Sequence, residues 1–185
     1  MCKRSWGNRP SAQSTKSAVL VVLFGGLLAG CGASLVETGD IGDPRWFQIA
    51  PEANIPDTEE NRAILSAINA YREAMSTLDT KAAQSFVATG YFENASSTDD
   101  PGDDYGNEMV PIVLEDYVDT AVQEIRYGIK VYELHREGGV VHVDYEYRWH
   151  FYYTLAGRNY WRSQHDVNRI SLVQEEGQWR AVGGL

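Results

Sequence analysis

Cysteine is nearly absent from this 185-residue chain: Cys2 and Cys31 are the only two. If the first is lost with a leader segment, a single thiol remains, and an internal disulfide framework is excluded. Basic residues are scarce where they would matter. Four of the 16 lie in residues 1–30, which hold none of the 26 acids, leaving 12 basic against 26 acidic residues, a charge of −14. Such a surface repels phosphate backbones, so nucleic acid is not an expected partner, and it offers no polybasic handle for anionic headgroups. No apolar run reaches the roughly 20 residues a membrane span needs. There is no Cys/His metal set, no phosphate-cradling glycine loop and no nucleophile elbow. No metal and no cofactor is therefore expected.

What is present begins with export. Residues 1–17 are polar and basic, and residues 18–30 are uncharged and mostly apolar. That is the n-region and h-region of a secretory signal. It closes on Leu28-Ala29-Gly30-Cys31, which resembles the lipobox of bacterial prolipoproteins. The resemblance implies cleavage before Cys31, a lipid on its sulfur and membrane attachment through that lipid. Gly32 in place of the aspartate that retains lipoproteins in the inner membrane implies the outer membrane, facing the periplasm. Residues 1–30 are thus expected to be a signal peptide and 31–56 a lipidated N-terminus and flexible tether, punctuated by Gly and Pro.

From Asp57 the pattern becomes regular. Asp57 reads as an N-cap with Glu60 three residues on, and Ile64, Ile68, Tyr71 and Met75 recur at helical spacing, widened by Leu65. A short second helix is predicted from Asp79 or Thr80, ended by Gly90. A third is predicted over 109–121, with Pro111 in its first turn. From Ile125 the period changes to two, with Gly128 a candidate bulge. Gly138-Gly139 predicts a tight hairpin. Val141, Val143, Tyr145, Tyr147, Trp149, Phe151 and Tyr153 alternate with His142, Asp144, Glu146, Arg148 and His150. Turns at 156–159 and 176–177 bound two further strands. Helices followed by long antiparallel strands predict an α+β domain with the helices packed on one face of a curved sheet.

The run Ala67, Tyr71, Ala74, Met75, Asp79, then Tyr91-Phe92-Glu93-Asn94, then the closing Glu176-Gly177-Gln178-Trp179-Arg180 resembles the nuclear-transport-factor-2-like, or SnoaL-like, superfamily over residues 57–185. The resemblance implies a cone with an internal cavity and an open sheet face suited to homodimer formation. It implies no function, because this fold hosts enzymes and non-catalytic proteins alike.

Chemistry is thinly signalled. The even residues of 141–153 belong on the outer face as a solvated charge ladder. The third strand shows no clean period: Ile170 and Leu172 read out of phase with Trp161 and Val167, and a twist there would turn Asp166 or His165 inward as a general base. Tyr71 and Trp161, with the stripe Tyr145, Tyr147, Trp149, Phe151 and Tyr153, are candidates to line a pocket for a small apolar ligand. The loop 99–108 is rich in calcium-type oxygen ligands, but its spacing does not match an EF-hand. Three readings stand: a lipid-anchored, non-catalytic cone that binds a small ligand or a protein partner, an isomerase or lyase using Asp166 as base, and a purely structural envelope protein with a filled core.

Overall fold

A computed structural model describes residues 35–37, 46–94, 102, 104–117 and 122–185, with backbone only for 35–37 and Tyr117. The signal segment, Cys31, the acids Asp99, Asp100 and Asp103, and Val118 to Ala121 lie outside these described residues.

The first helix, α1, spans Glu59–Ser76. Its N-cap is Thr58, one residue later than expected: extended backbone at Thr58 aims its hydroxyl at the Asn61 N–H, 3.1 Å away. Asp57 is freed to pair with Arg62 at 2.6 Å. Ile64, Leu65, Ile68, Tyr71, Ala74 and Met75 form the buried stripe. Each large aliphatic side chain among them contributes about 1.5–3 kcal/mol on burial. The second helix, α2 (Thr80–Ser85), is capped by Asp79, whose Oδ1 accepts from the Ala82 N–H. It ends at Phe86 rather than at Gly90, because the chain there leaves to hydrogen-bond the last strand: the Ala181 N–H donates to the Phe86 carbonyl. Residues 92–93 and 105–106 pair as the short strands β3 and β4. A single 3₁₀ turn at Asn107–Met109 leads into α3, Val110–Tyr117.

The sheet carries the molecule. Its long strands are β5 (Val122–Glu137), β6 (Val140–Leu155) and β7 (Arg158–Glu175), followed by the short β8 (Gln178–Gly183). Residues 35–37 form β1, antiparallel to β7, and 47–49 form β2, parallel to β5. The order is β1-β7-β6-β5-β2, with β8 on the far part of β7. The segment from residue 46 is therefore seated on the sheet instead of hanging as a tether. The Ile129 N–H donates to the Trp46 carbonyl and the Ala50 N–H to the Val131 carbonyl. The hairpin between β5 and β6 turns on Gly138 and Gly139, both at positive φ as expected. Gly128 stays in register opposite Arg148, and the bulges fall instead at 122–124 and 131–133 of β5. The pairing of β6 with β7 is unbroken from Val141–Leu172 to Leu155–Arg158. Helices and the concave sheet face enclose one hydrophobic core, centred on Ile64, Ile68, Ile125, Ile129, Val143 and Ile170.

Candidate functional site

Unbroken register settles which residues of β7 face inward. Tyr147 pairs with Asp166, Trp149 with Gln164, Tyr145 with Asn168, Val143 with Ile170 and Val141 with Leu172. Paired residues share a face, so the even residues from Gln164 to Leu172 all look to the concave side. The strand keeps its period; only polarity changes along it, apolar at the core end and polar at the other.

Beyond the core the concave face does not close completely. A cavity of about 110 Å³ remains. α1 contributes Tyr71 and Met75, β5 Tyr127, β6 Tyr145, Tyr147, Trp149 and Phe151, β7 Gln164 and Asn168, and α3 closes one side with Val110, Val113 and Leu114. Tyr91, Tyr105 and Leu185 complete the rim. The rings brace one another: Tyr127 stacks on Trp149 with centroids 3.8 Å apart, Trp149 on Phe151 at 5.5 Å, and Tyr71 meets Tyr127 edge-on at 6.3 Å. Among the described residues, no carboxylate, imidazole, ammonium or guanidinium side chain lines the space.

Its polar groups are phenols and amides. Gln164 Nε2 donates to the Tyr147 hydroxyl at 3.1 Å. The Tyr145 hydroxyl and Asn168 Nδ2 both donate to the Gly184 carbonyl, at 3.4 and 3.3 Å. Burial pushes the Tyr127 and Tyr145 phenols well above their ordinary range; Tyr145 adds to the rise at Tyr127, while the hydrogen bond with Tyr127 partly offsets it at Tyr145. At the rim the Tyr91 hydroxyl donates to Glu93 Oε2 at 2.7 Å, and burial first, then that carboxylate, raises its pKa. Glu93 Oε2 also accepts from the Gly184 and Leu185 N–H groups. All three phenols are neutral donors at physiological pH.

Of the residues singled out from sequence, the structure brings Tyr71, Tyr145, Tyr147, Trp149 and Phe151 together around the cavity, and leaves Tyr153 outside it against Tyr160. Trp161 is not among them: its partner in register is Tyr152, which puts it on the convex face, tilted against Tyr152 and under the Arg126 guanidinium at 4.4 Å. Asp166 lies on the concave face without any twist, yet it is exposed, and its Oδ1 accepts from the Val167 N–H at 2.8 Å. His165 is on the opposite face, bonded to Glu146 at 2.8 Å, so the two cannot act as a pair. On that outer face Arg169 holds the Asp144 carboxyl below its usual range, and the Tyr132 hydroxyl and His165 do the same for Glu146. His142 bonds Ser171 and stacks on His135. Among the described residues no three metal-ligating side chains converge.

Sequence reasoning passed over Tyr127, Gln164 and Asn168 as lining residues. The signal for Tyr127 was available in the alternation Ile125, Tyr127, Ile129, Val131. For Gln164 and Asn168 it lay in the hairpin register, which the turn at Ala156-Gly157 fixes.

No family model matches the chain, and no curated protein matches it in sequence. Solved structures do match. A conserved protein from Planctomyces limnophilus superposes with a TM-score of 0.57 at 13% identity, covering 68% of this chain and 92% of that one. A putative scytalone dehydratase from Novosphingobium aromaticivorans gives 0.56 at 13%, covering 68% and 80%. Aln2 from a Streptomyces species gives 0.52 at 16%, covering 71% and 92%. The fold is the nuclear-transport-factor-2-like, or SnoaL-like, cone. At such identities the likeness extends to the cone alone and not to any activity.

Proposed function

We propose that this chain is a lipid-anchored protein of the cell envelope whose cone binds a small, uncharged, ring-bearing ligand without transforming it. The observation that carries the binding reading is the lining of the cavity: stacked aromatic rings, neutral phenols and two amides, with no titratable acid–base pair of the kind proton transfer needs. A flat ring can slot against Trp149 and Phe151, and a hydroxyl or carbonyl on it can bond Gln164 or Asn168. A cavity of about 150 Å³ holds benzene in an engineered protein; one of 110 Å³ suits a single small ring. The isomerase or lyase reading would require Asp166 to give up the Val167 N–H and turn toward a substrate.

Native mass spectrometry of the protein drawn gently from its own host tests this. A reproducible small mass, shed on denaturation and missing from Val113→Phe, is expected; a chain that carries no such mass and takes up neither phenol nor indole ends the proposal. Anchoring is tested separately. With Cys31→Ser, processing should stop and the lipid mass should vanish. Unchanged maturation and membrane attachment would show that the leader is not of the lipoprotein type.

A further inference from the structure

Outside its first 30 residues the chain carries a charge of −14, yet from Tyr147 to His165 it holds no aspartate or glutamate. The fold gathers much of this stretch at one end of the sheet, the β6–β7 hairpin around the Ala156–Gly157 turn. Leu155 stands at the apex, 59% exposed. Behind it lie two aromatic pairs, one on each face: Tyr153 with Tyr160 at 5.8 Å and Tyr152 with Trp161 at 5.0 Å. Arg158 and Arg162 are exposed, and Glu37 lies opposite Tyr160 between them in the ladder. Elsewhere on the same sheet arginines are matched: Arg169 by Asp144, Arg148 by Glu146, Arg126 by Glu124.

An exposed aliphatic apex, half-buried tyrosines behind it and exposed guanidinium groups form the profile of a bilayer interface, with rings at headgroup depth and arginines toward phosphates. We propose that the tip Tyr152–Arg162 rests on a bilayer bearing anionic headgroups. This rests on the reading of Cys31 as the lipidated residue, and the chain path agrees with it. Leu35 pairs with Arg162, and four residues back to Cys31 span at most about 14 Å of chain. A lipid on Cys31 therefore keeps this hairpin close to the membrane. Two arginines are no polybasic cluster; they act beside the exposed Leu155 and a lipid on Cys31, with Glu37 and Glu124 the acids in register with the tip.

The full chain with Leu155→Cys, bearing an environment-sensitive fluorophore on that thiol, is reconstituted into vesicles of equal parts phosphatidylethanolamine and phosphatidylglycerol. Glu176→Cys, in the turn between β7 and β8, is the control. Peptide masses fix the label's position and report the lipid on Cys31. Acrylamide should quench the label at 155 about threefold less than at 176, and Arg158→Glu with Arg162→Glu should remove the difference. Equal quenching at both positions, or a chain that stays off the vesicles, overturns the proposal. A shielded label at 155 on a chain without lipid leaves the tip contact standing and removes the anchoring reading instead.

Discussion

Gly184 shows how tightly one residue can be specified. Its φ is +84°, and a Cβ there would overlap the Arg169 carbonyl. Its own N–H goes to Glu93 and its carbonyl accepts from Tyr145 and Asn168, so the segment is held from three directions and Leu185 is delivered to the cavity rim. Gly184→Ala must push this segment off β7. A loss of about 1–3 kcal/mol is expected in denaturant melts, combining left-handed strain with broken hydrogen bonds. An unchanged midpoint would show that the segment is not held this way. Asp166 belongs at the same scale, with a task in the strand. Its carboxylate caps its neighbour's N–H, as Asn168 caps Arg169, along the stretch of β7 between its pairings with β1 and β8. Unpaired edge donors are blunted in this way, a use of the carboxylate that its residue type alone could not disclose.

At the scale of elements, β6 was fully legible and β7 was not, and the difference is physical. Alternation in β6 coincides with a polarity contrast along most of its length, because one face meets helices and the other water. In β7 the concave face is polar at Gln164, Asp166 and Asn168 and ends in the core with Ile170 and Leu172, while the convex face carries buried Trp161. Polarity shifts along the strand while phase is constant, so a pattern read from polarity alone misplaces Trp161. The short β2 was illegible for another reason: three residues in parallel pairing carry no period. The convex face also sets a pH response. Burial first, then Arg126 and Arg148, lowers the His150 pKa below 6.5. A lowered pKa means the folded state binds fewer protons than the unfolded one. The stability it represents is present above about 6.5 and lost as pH falls from there through the folded value. The melting temperature should decline over that interval and His150→Gln should flatten it. The lowered carboxyls of Asp144 and Glu146 act in a separate window, below about pH 4, so a decline confined to that lower window would refute the role given to His150.

The described domain is a cone whose helices cover the sheet closely at one end and leave a cavity at the other. Space left unfilled lowers stability by about 24 cal/mol per Å³ when it is dry, so a cavity of 110 Å³ represents about 2.6 kcal/mol at most. A filled core would have been the more stable solution, and the stacking of Tyr127 on Trp149 shows that rings could fill it. Retained space lined by ordered aromatics is what binding sites look like when function and stability compete. Val113, on the helix that closes the cavity, allows the two to be separated. Val113→Phe should place a ring in the void, raise the melting temperature by a few degrees through recovered packing and abolish ligand uptake. Thermal melts with and without phenol measure both effects: phenol should stabilise the unaltered protein and leave the variant unmoved. A variant that melts lower while still responding to phenol would mean that the space is not the ligand's, and that the cone holds its partner elsewhere.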